Sequence, residues 1–168
     1  YTAVVTPFAN GKVAYATLRD WIELQVAAAV AGNLTVGTTG QSPTLIVAEH
    51  KKVIALVVET VRGRCQVIAG TGANATSEAL DLTRHARAVG ADAVATGHYA
   101  RIDRRDGRPR LLRAADRDKD QSYVLFGISP ARLDRMLLPV GDYHKQDIRR
   151  LAAGLGLRVA EKRDSQEI

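Results

Sequence analysis

Over the first 95 residues, short apolar runs alternate with segments of amphipathic helical spacing, and this beat constrains the chain more than any other feature. Residues 3–5 form an apolar run ended by Thr6 and Pro7, and the proline stops a strand by removing a backbone donor. Leu18, Trp21, Ile22, Val26 and Ala29 recur at helical spacing, which predicts an amphipathic helix over residues 15–29. Residues 30–37 read as a second strand, and Val53, Ile54, Val57, Val58 and Val61 mark a second helix. Residues 66–69 read as a third strand. Leu80, Thr83, Ala86 and Val89 mark a third helix closed by Gly90, and residues 92–95 a fourth strand. Strands separated by helices of this length need crossover connections, hence a parallel sheet with helices outside it. The expected fold class is therefore α/β, with four parallel strands in the order 1–2–3–4 forming a barrel-like half.

Ligands of such folds bind at the carboxyl ends of the strands. Those ends carry Thr6-Pro7, Thr38-Thr39-Gly40, Gly70-Thr71-Gly72 and Thr96-Gly97-His98. Hydroxyls and flexible backbone on one rim suit an anion or a carboxylate, although Gly and Thr also end strands for turn reasons alone. The beat breaks after residue 98. Residues 99–103 and 110–113 flank a loop whose Asp106-Gly107 pair predicts a hairpin. A helix is expected over residues 121–128, and a short one begins at Ser129-Pro130, with Ser129 as N-cap. A further helix over residues 145–153 and a late strand over residues 157–160 complete the expected pattern.

Length and composition set the outer limits. A chain of 168 residues makes one domain or two small ones. With 46% hydrophobic and 25% charged residues it is not an intrinsically disordered chain. No window approaches the ~20 apolar residues that span a bilayer, so no membrane partner is expected. No charged-then-apolar leader is visible, and a cytoplasmic, reducing setting is the expectation. The lone Cys65 excludes an internal disulfide and a Cys-based zinc site. His50, His85, His98 and His144 show no metal-ligand spacing, so no metal is expected. Gly70-Thr71-Gly72 lacks the third glycine and downstream acid of a dinucleotide fingerprint, so no cofactor is expected either. Phe8, Tyr15 and Trp21 read as core or subunit contacts.

The net charge of +6 is uneven. Residues 96–168 carry sixteen Lys and Arg against eleven Asp and Glu, and residues 101–119 alone carry eight against four. A polyanion such as nucleic acid and a solvated Arg-rich surface both account for that asymmetry.

Two resemblances meet inside this chain. VVTPF at residues 4–8, GTTGQSPTL at 37–45, AGTGANATSEA at 69–79 and Gly90-Ala91-Asp92 make residues 1–94 similar to the dihydrodipicolinate synthase family. Those proteins are pyruvate-dependent class I aldolases on a (β/α)8 barrel, which implies a TIM-barrel-like parallel half-barrel of four βα units. ATGHYARI at 95–102, LLRAADRDKDQSY at 111–123, LPVGDYHKQDIRRLA at 138–152 and KRDSQEI at 162–168 make residues 90–168 similar to the tRNA-specific 2-thiouridylase family. Gly90-Ala91-Asp92 suits both patterns, so the sequence looks like a chimera. Its expected domains are an aldolase-like half-barrel over residues 1–94 and a thiouridylase-like α/β fragment over residues 95–168. The fragment would continue as a hairpin, short helices and a late strand.

The first resemblance implies that Thr38 belongs to a proton relay and that Thr39 binds the pyruvate carboxylate. It also implies a Schiff-base Lys on a later strand, where the present sequence follows the other pattern. A covalent amine is indispensable to that chemistry, because it converts pyruvate into an enamine nucleophile. Lys51 and Lys52, on the second helix, are poor substitutes. Tyr99 falls close to where the family places an intersubunit Tyr, within HYARI of the other pattern. Gln41 stands where the family commonly has Glu, and Asn33 where an apolar strand residue is expected. Ile46 stands where a capping Ser or Thr is usual, a loss of about 1 kcal/mol unless Thr44 takes the role.

The second resemblance implies adenylation of uridine at a Gly/Ser-rich pyrophosphate loop, which these residues lack. It places one catalytic Cys upstream of ATGHYARI, in the replaced segment, and another directly after DSQEI. Cys65 reads as a small buried hydrophobe. His98, Lys119, Asp120, Gln121 and Ser122 would line the region receiving the anticodon, and Arg104, Arg105 and Arg108 would meet phosphates from an exposed loop. The alternative for residues 120–123 is a helix start, with Asp120 as N-cap, Ser122 in the first turn and Tyr123 packing inward. The expected whole is a hybrid with incomplete sites, not catalytic alone. The alternatives are a weak, salt-sensitive tRNA-binding module and a lyase half completed by a partner. Pyruvate is a candidate ligand, and open sheet edges predict self-association.

Overall fold

A computed structural model describes residues 1–156 of the chain. It divides into two compact units, Tyr1–Ala91 and a second from Asp92 onward. The boundary falls inside the Gly90-Ala91-Asp92 tripeptide that suits both sequence patterns.

The first unit opens with β1 (Thr2–Ala3) and a hairpin of β2 (Phe8–Ala9) and β3 (Lys12–Val13). Asn10 and Gly11 close that hairpin with φ of 51° and 73°, the paired positive values that match the strand twist. There follow α1 (Tyr15–Ala27), β4 (Gly32–Thr35), α2 (Val47–Val61), β5 (Gln66–Ala69) and α3 (Thr76–Ala88). The strands form one parallel sheet in the order β1-β4-β5, with Thr2 opposite Asn33 and Asn33 opposite Val67. Val4 and Val36 project from the strand ends into a core built with Leu18 and Ile22 of α1 and Val53, Ile54, Val57 and Val61 of α2. These positions lie at the i, i+3, i+4 spacing that makes one helical face apolar.

Of the three aromatics read as core or subunit contacts, Tyr15 packs against the core, whereas Trp21 and Phe8 are 39% and 42% exposed. The apolar stripe of α3 runs through Leu82, Ala86 and Val89 rather than through Leu80, which is exposed. Leu80 lies two residues from Leu82, about 200° around the helix. Gly90, at φ 112°, follows the end of α3 as the sequence predicts.

The polar substitutions in the first unit find different solutions. Ile46 offers no capping oxygen, and Glu49 instead accepts from the Ile46 backbone N–H at 3.3 Å. The Thr44 hydroxyl donates to the Gln41 carbonyl and caps nothing. Fully buried Asn33 donates through Nδ2 to Cys65 Sγ at 3.3 Å, while its Oδ1 takes the Thr2 hydroxyl at 3.4 Å. Among the described residues, Thr35 Oγ1 is buried without a hydrogen-bond partner.

The second unit contains β6 (Val94–Ala95), a hairpin of β7 (Ala100–Asp103) and β8 (Arg110–Arg113), the helices α4 (Ser122–Leu125) and α5 (Pro130–Leu133), β9 (Met136–Leu137) and α6 (Lys145–Gly154). The hairpin pairs Ala100 with Arg113 through Asp103 with Arg110, and Asp106 and Gly107 in its loop both have positive φ. Ser129 occupies the N-cap of α5 with Pro130 in the first turn, though without a side-chain capping bond.

The expected fourth strand of a four-stranded half-barrel is corrected. The sheet of the first unit has three strands, and Val94–Ala95 pairs in parallel with Met136–Leu137. Arg135 and Leu137 carbonyls accept from Val94 and Thr96, so an apolar pair distant in sequence completes this ladder. The helix expected over residues 121–128 is also shorter, ending before Gly127. The strand expected over residues 157–160 lies outside the described residues. No described helix is long and apolar enough to cross a membrane.

Candidate functional site

In the first unit the candidate ligand rim lies at the carboxyl end of β4. Thr38 and Thr39 are both exposed there. Their loop is braced by Gln41 N–H donating to the Thr38 carbonyl at 3.1 Å and by the Thr6 hydroxyl donating to the Gly40 carbonyl at 2.7 Å. Thr6 itself is only 3% exposed. Val36 enters the loop at φ 48°, a left-handed conformation that costs a β-branched residue about 1–3 kcal/mol. Both flanking glycines are required by this arrangement. A Cβ on Gly70 would lie 2.4 Å from the Val36 carbonyl oxygen, and one on Gly40 would lie 2.9 Å from Val36 Cα.

Beside the rim, buried His50 places Nε2 2.8 Å from the Gly70 carbonyl. It lines a cavity of about 320 Å³ together with Ser42, Leu45, Asn74 and Glu78. The two lysines weighed as nucleophiles are committed elsewhere. Lys51 Nζ pairs with the Asp81 carboxylate at 2.7 Å, and Lys52 Nζ sits 4.0 Å from the centre of the Tyr15 ring.

In the second unit the motif residues form a bracket at the base of the hairpin. Gln121 N–H donates to the Tyr99 carbonyl at 2.8 Å, and its Oε1 accepts from Tyr99 N–H at 3.0 Å. Asp120 accepts from Ala114 N–H at 2.8 Å and from the Ser122 hydroxyl at 2.9 Å. The Ala114 bond, helped by Ser122, holds the Asp120 carboxyl below its ordinary range. Gln121, not Asp120, occupies the N-cap position of α4. Tyr123 does not pack inward; it is 70% exposed, and Leu125 is the buried residue of that turn.

The basic residues divide into two kinds. Arg104 donates through Nη2 to the carbonyls of Asp134 and Met136, at 3.2 and 2.9 Å, closing the chain that leaves α5. Arg105 pairs with Asp103 at 3.0 Å while staying exposed, Arg108 is exposed on the loop, and Lys119 is exposed after the hairpin. The Arg105 backbone N–H is the main cause of a depressed Asp103 carboxyl, with the Arg105 and Arg110 guanidinium groups adding to it. His98 Nδ1 lies 2.8 Å from the Thr96 hydroxyl. Among the described residues, no three His, Cys, Asp or Glu side chains converge as metal ligands would.

Two contributors were not singled out one by one from the sequence. Thr6 was grouped with Pro7 on the strand-end rim, not as a buried brace of the loop after β4. Asp116 accepts from Lys145 N–H at 2.8 Å at the start of α6, and this bond is the main cause of its lowered pKa. Only its place in the LLRAADRDKDQSY motif pointed to it.

Comparison with known proteins finds two families. The Dihydrodipicolinate synthetase family matches residues 1–102, and the tRNA methyl transferase HUP domain matches residues 73–168. Each match covers more than half of the chain, and their overlap contains Gly90-Ala91-Asp92. A tRNA-specific 2-thiouridylase of Rhodopirellula baltica is 60% identical over 87 residues, 52% of this chain and 22% of that protein. A 4-hydroxy-tetrahydrodipicolinate synthase of Methanococcus maripaludis is 55% identical over 94 residues, 56% of this chain and 32% of the relative. Among solved structures, dihydrodipicolinate synthase from Aquifex aeolicus superimposes with a TM-score of 0.53 at 50% identity, over 56% of this chain and 32% of that one. The chain thus spans less than a third of the length of each of these three.

Proposed function

We propose that this chain, which belongs to the dihydrodipicolinate synthetase family over residues 1–102 and to the tRNA methyl transferase HUP domain family over residues 73–168, is a hybrid that keeps a ligand-facing surface from each family and completes neither reaction on its own. In this reading residues 1–94 are a lyase-like half-barrel fragment and residues 95–168 a thiouridylase-like fragment. The observation that carries the proposal is the state of the rim at β4. Exposed Thr38 and Thr39 stand on a braced loop, while Lys51 and Lys52 are held by Asp81 and the Tyr15 ring.

Hydroxyl and backbone donors can hold the carboxylate of a keto acid such as pyruvate. Carbon–carbon bond formation needs more, because an amine must first condense with the ketone, release water and leave an enamine. Neither Lys51 nor Lys52 is placed for that condensation. Pyruvate should therefore bind at Thr38 and Thr39 without turnover. A titration followed by backbone amide shifts tests this, with changes confined to residues 38–40 as the expected result and no change there as the contrary one.

The second unit supports a weak tRNA-binding surface. Arg105 and Arg108 are exposed on the hairpin loop and Lys119 is exposed after the hairpin, and phosphate contacts of this kind need no base recognition. Asp120, Gln121 and Ser122 then act on RNA through the shape of the bracket that they hold, and Arg104 through the closure it makes on the chain leaving α5. Affinity should fall steeply with salt. A tRNA titration at two salt concentrations tests it, and salt-independent binding, or none at low salt, would contradict it.

A second reading is favoured by the outer edges of β1 and β5, which carry no strand partner in the described sheet. Ile68 of β5 is 44% exposed beside that edge. Unpaired ladders recruit partners, so self-association or completion by a partner supplying further strands follows. Sedimentation at tens of micromolar distinguishes it, since a clean monomer would count against this second reading.

A further inference from the structure

We propose that Thr6 is a positioning residue for the loop of residues 38–40 and, through that loop, for the carboxylate of a keto acid; the ligand half of this inference rests on the rim reading given above. Three restraints converge on the loop, and each comes from a different strand end. Gly40 lies where a Cβ would meet Val36 Cα and N at 2.9 and 3.0 Å and the Val4 carbonyl oxygen at 3.1 Å. Gly70, after β5, lies where a Cβ would meet the Val36 carbonyl oxygen. These two contacts box the backbone of Val36 in its left-handed conformation. They fix where the loop begins, but not the direction in which it leaves.

The third restraint sets the direction. Thr6 reaches from the chain after β1 and donates its hydroxyl to the Gly40 carbonyl at 2.7 Å, across 34 residues of sequence. The hydroxyl is buried, so water cannot readily replace either partner once the bond is lost. Thr38 and Thr39 immediately precede the carbonyl that it holds. A tilt of the Gly40 peptide therefore moves both hydroxyls relative to β4, and a carboxylate bound by two hydroxyls is sensitive to their mutual direction. Thr6 itself does not face the ligand and is not a catalytic residue.

The test uses the full chain with Thr6→Val, which keeps the volume and removes the donor, and Thr6→Ser, which keeps the donor. Pyruvate is titrated while the amide shifts of residues 38–40 are followed, and thermal unfolding is recorded alongside. The expected result is a loss of about tenfold in pyruvate affinity for Thr6→Val and of no more than about twofold for Thr6→Ser. Amide exchange at Gln41 and Ser42 should quicken in Thr6→Val while exchange at Gly70 stays as in the parent. Equal pyruvate affinity for parent and Thr6→Val overturns the inference, as does an equal loss in Thr6→Ser. If the parent itself shows no response to pyruvate, the keto-acid reading fails separately. The positioning role then stands or falls on the Gln41 and Ser42 exchange, and an unchanged rate refutes it. Thr6→Ala is read in the same way if Thr6→Val does not fold.

Discussion

Gln121 and Tyr99 hold each other through two hydrogen bonds, the Gln121 N–H on the Tyr99 carbonyl and the Tyr99 N–H on Gln121 Oε1, at 2.8 and 3.0 Å. The pair ties the start of α4 to the entry of β7, and Tyr99 is itself buried. A glutamine expected to line the region receiving the anticodon thus has its side-chain oxygen engaged by the backbone. Gln121→Ala should cost about 1 kcal/mol of stability, since the Tyr99 N–H loses its acceptor in a part-buried place. Chemical denaturation checks this, and an unchanged midpoint would return Gln121 to a role in recognition alone.

Thr35 offers the opposite case. Its hydroxyl is buried with no partner among the described residues, on the same strand face as Asn33. Thr35→Val keeps the shape and removes an unpaid desolvation, so it should stabilise the first unit by about 1 kcal/mol. A shift of the urea midpoint upward with an unchanged slope is the expected readout.

Gly70→Ala should be among the most damaging small substitutions in the first unit. The added methyl would meet the Val36 carbonyl oxygen, which is backbone and cannot rotate aside. A loss of about 1–3 kcal/mol is expected from such overpacking. Gly72→Ala, where nothing lies within 4 Å of an added Cβ, is the matched control and should change little. Equal stability of the two variants would contradict the close approach.

Acid should loosen the second unit. Asp103, Asp116 and Asp120 all have folded pKa values below their ordinary ones, chiefly because backbone N–H groups of Arg105, Lys145 and Ala114 donate to the charged form. A carboxyl with a depressed folded pKa contributes stability above its unfolded pKa, about 3.9 for Asp, and loses it as pH falls through the folded value. Stability should therefore be flat from neutral pH down to about pH 5 and decline below it. Asp116→Asn should flatten that decline, measured by thermal unfolding across the acid range. A parent profile already flat to the lowest pH would contradict these contacts.

Much of this was legible before the structure. The third strand matched residues 66–69 to the residue, and Asp106-Gly107 marked a hairpin loop that forms with both φ values positive. Such signals are local: alternation, breakers and turn residues act over a few positions. What escaped was set by distant partners. Val94–Ala95 looked like a fourth barrel strand because its own apolar pair says nothing of Met136–Leu137, its actual neighbour. Arg104 looked like a phosphate contact because no local signal shows that the carbonyls of Leu133, Asp134 and Met136, at and just beyond the end of α5, turn toward it. Thr38 and Thr39 were readable from GTTG, whereas the buried hydroxyl of Thr6 became visible only once β1 and β4 lay side by side.

Arg104 separates fold from recognition in the RNA reading. Neutralising Arg105 and Arg108 together should weaken tRNA binding and reduce its salt slope by up to about 2, with little change in stability. Arg104→Ala should lower stability first, because the carbonyls of Asp134 and Met136 lose their donor. Titration and thermal unfolding on the same samples check both, and a reversed pattern would refute the division.

The proposed keto-acid rim of the first unit has neither Lys51 nor Lys52 placed to condense with its ligand. Incubation with pyruvate followed by borohydride, read by intact-mass spectrometry and peptide mapping, tests it most directly. Borohydride reduces any imine between a lysine and the ketone to a stable secondary amine. The account predicts an unmodified chain, with Lys51 still paired to Asp81 and Lys52 over Tyr15. A pyruvate-derived mass increase localised to any lysine of the chain would contradict it.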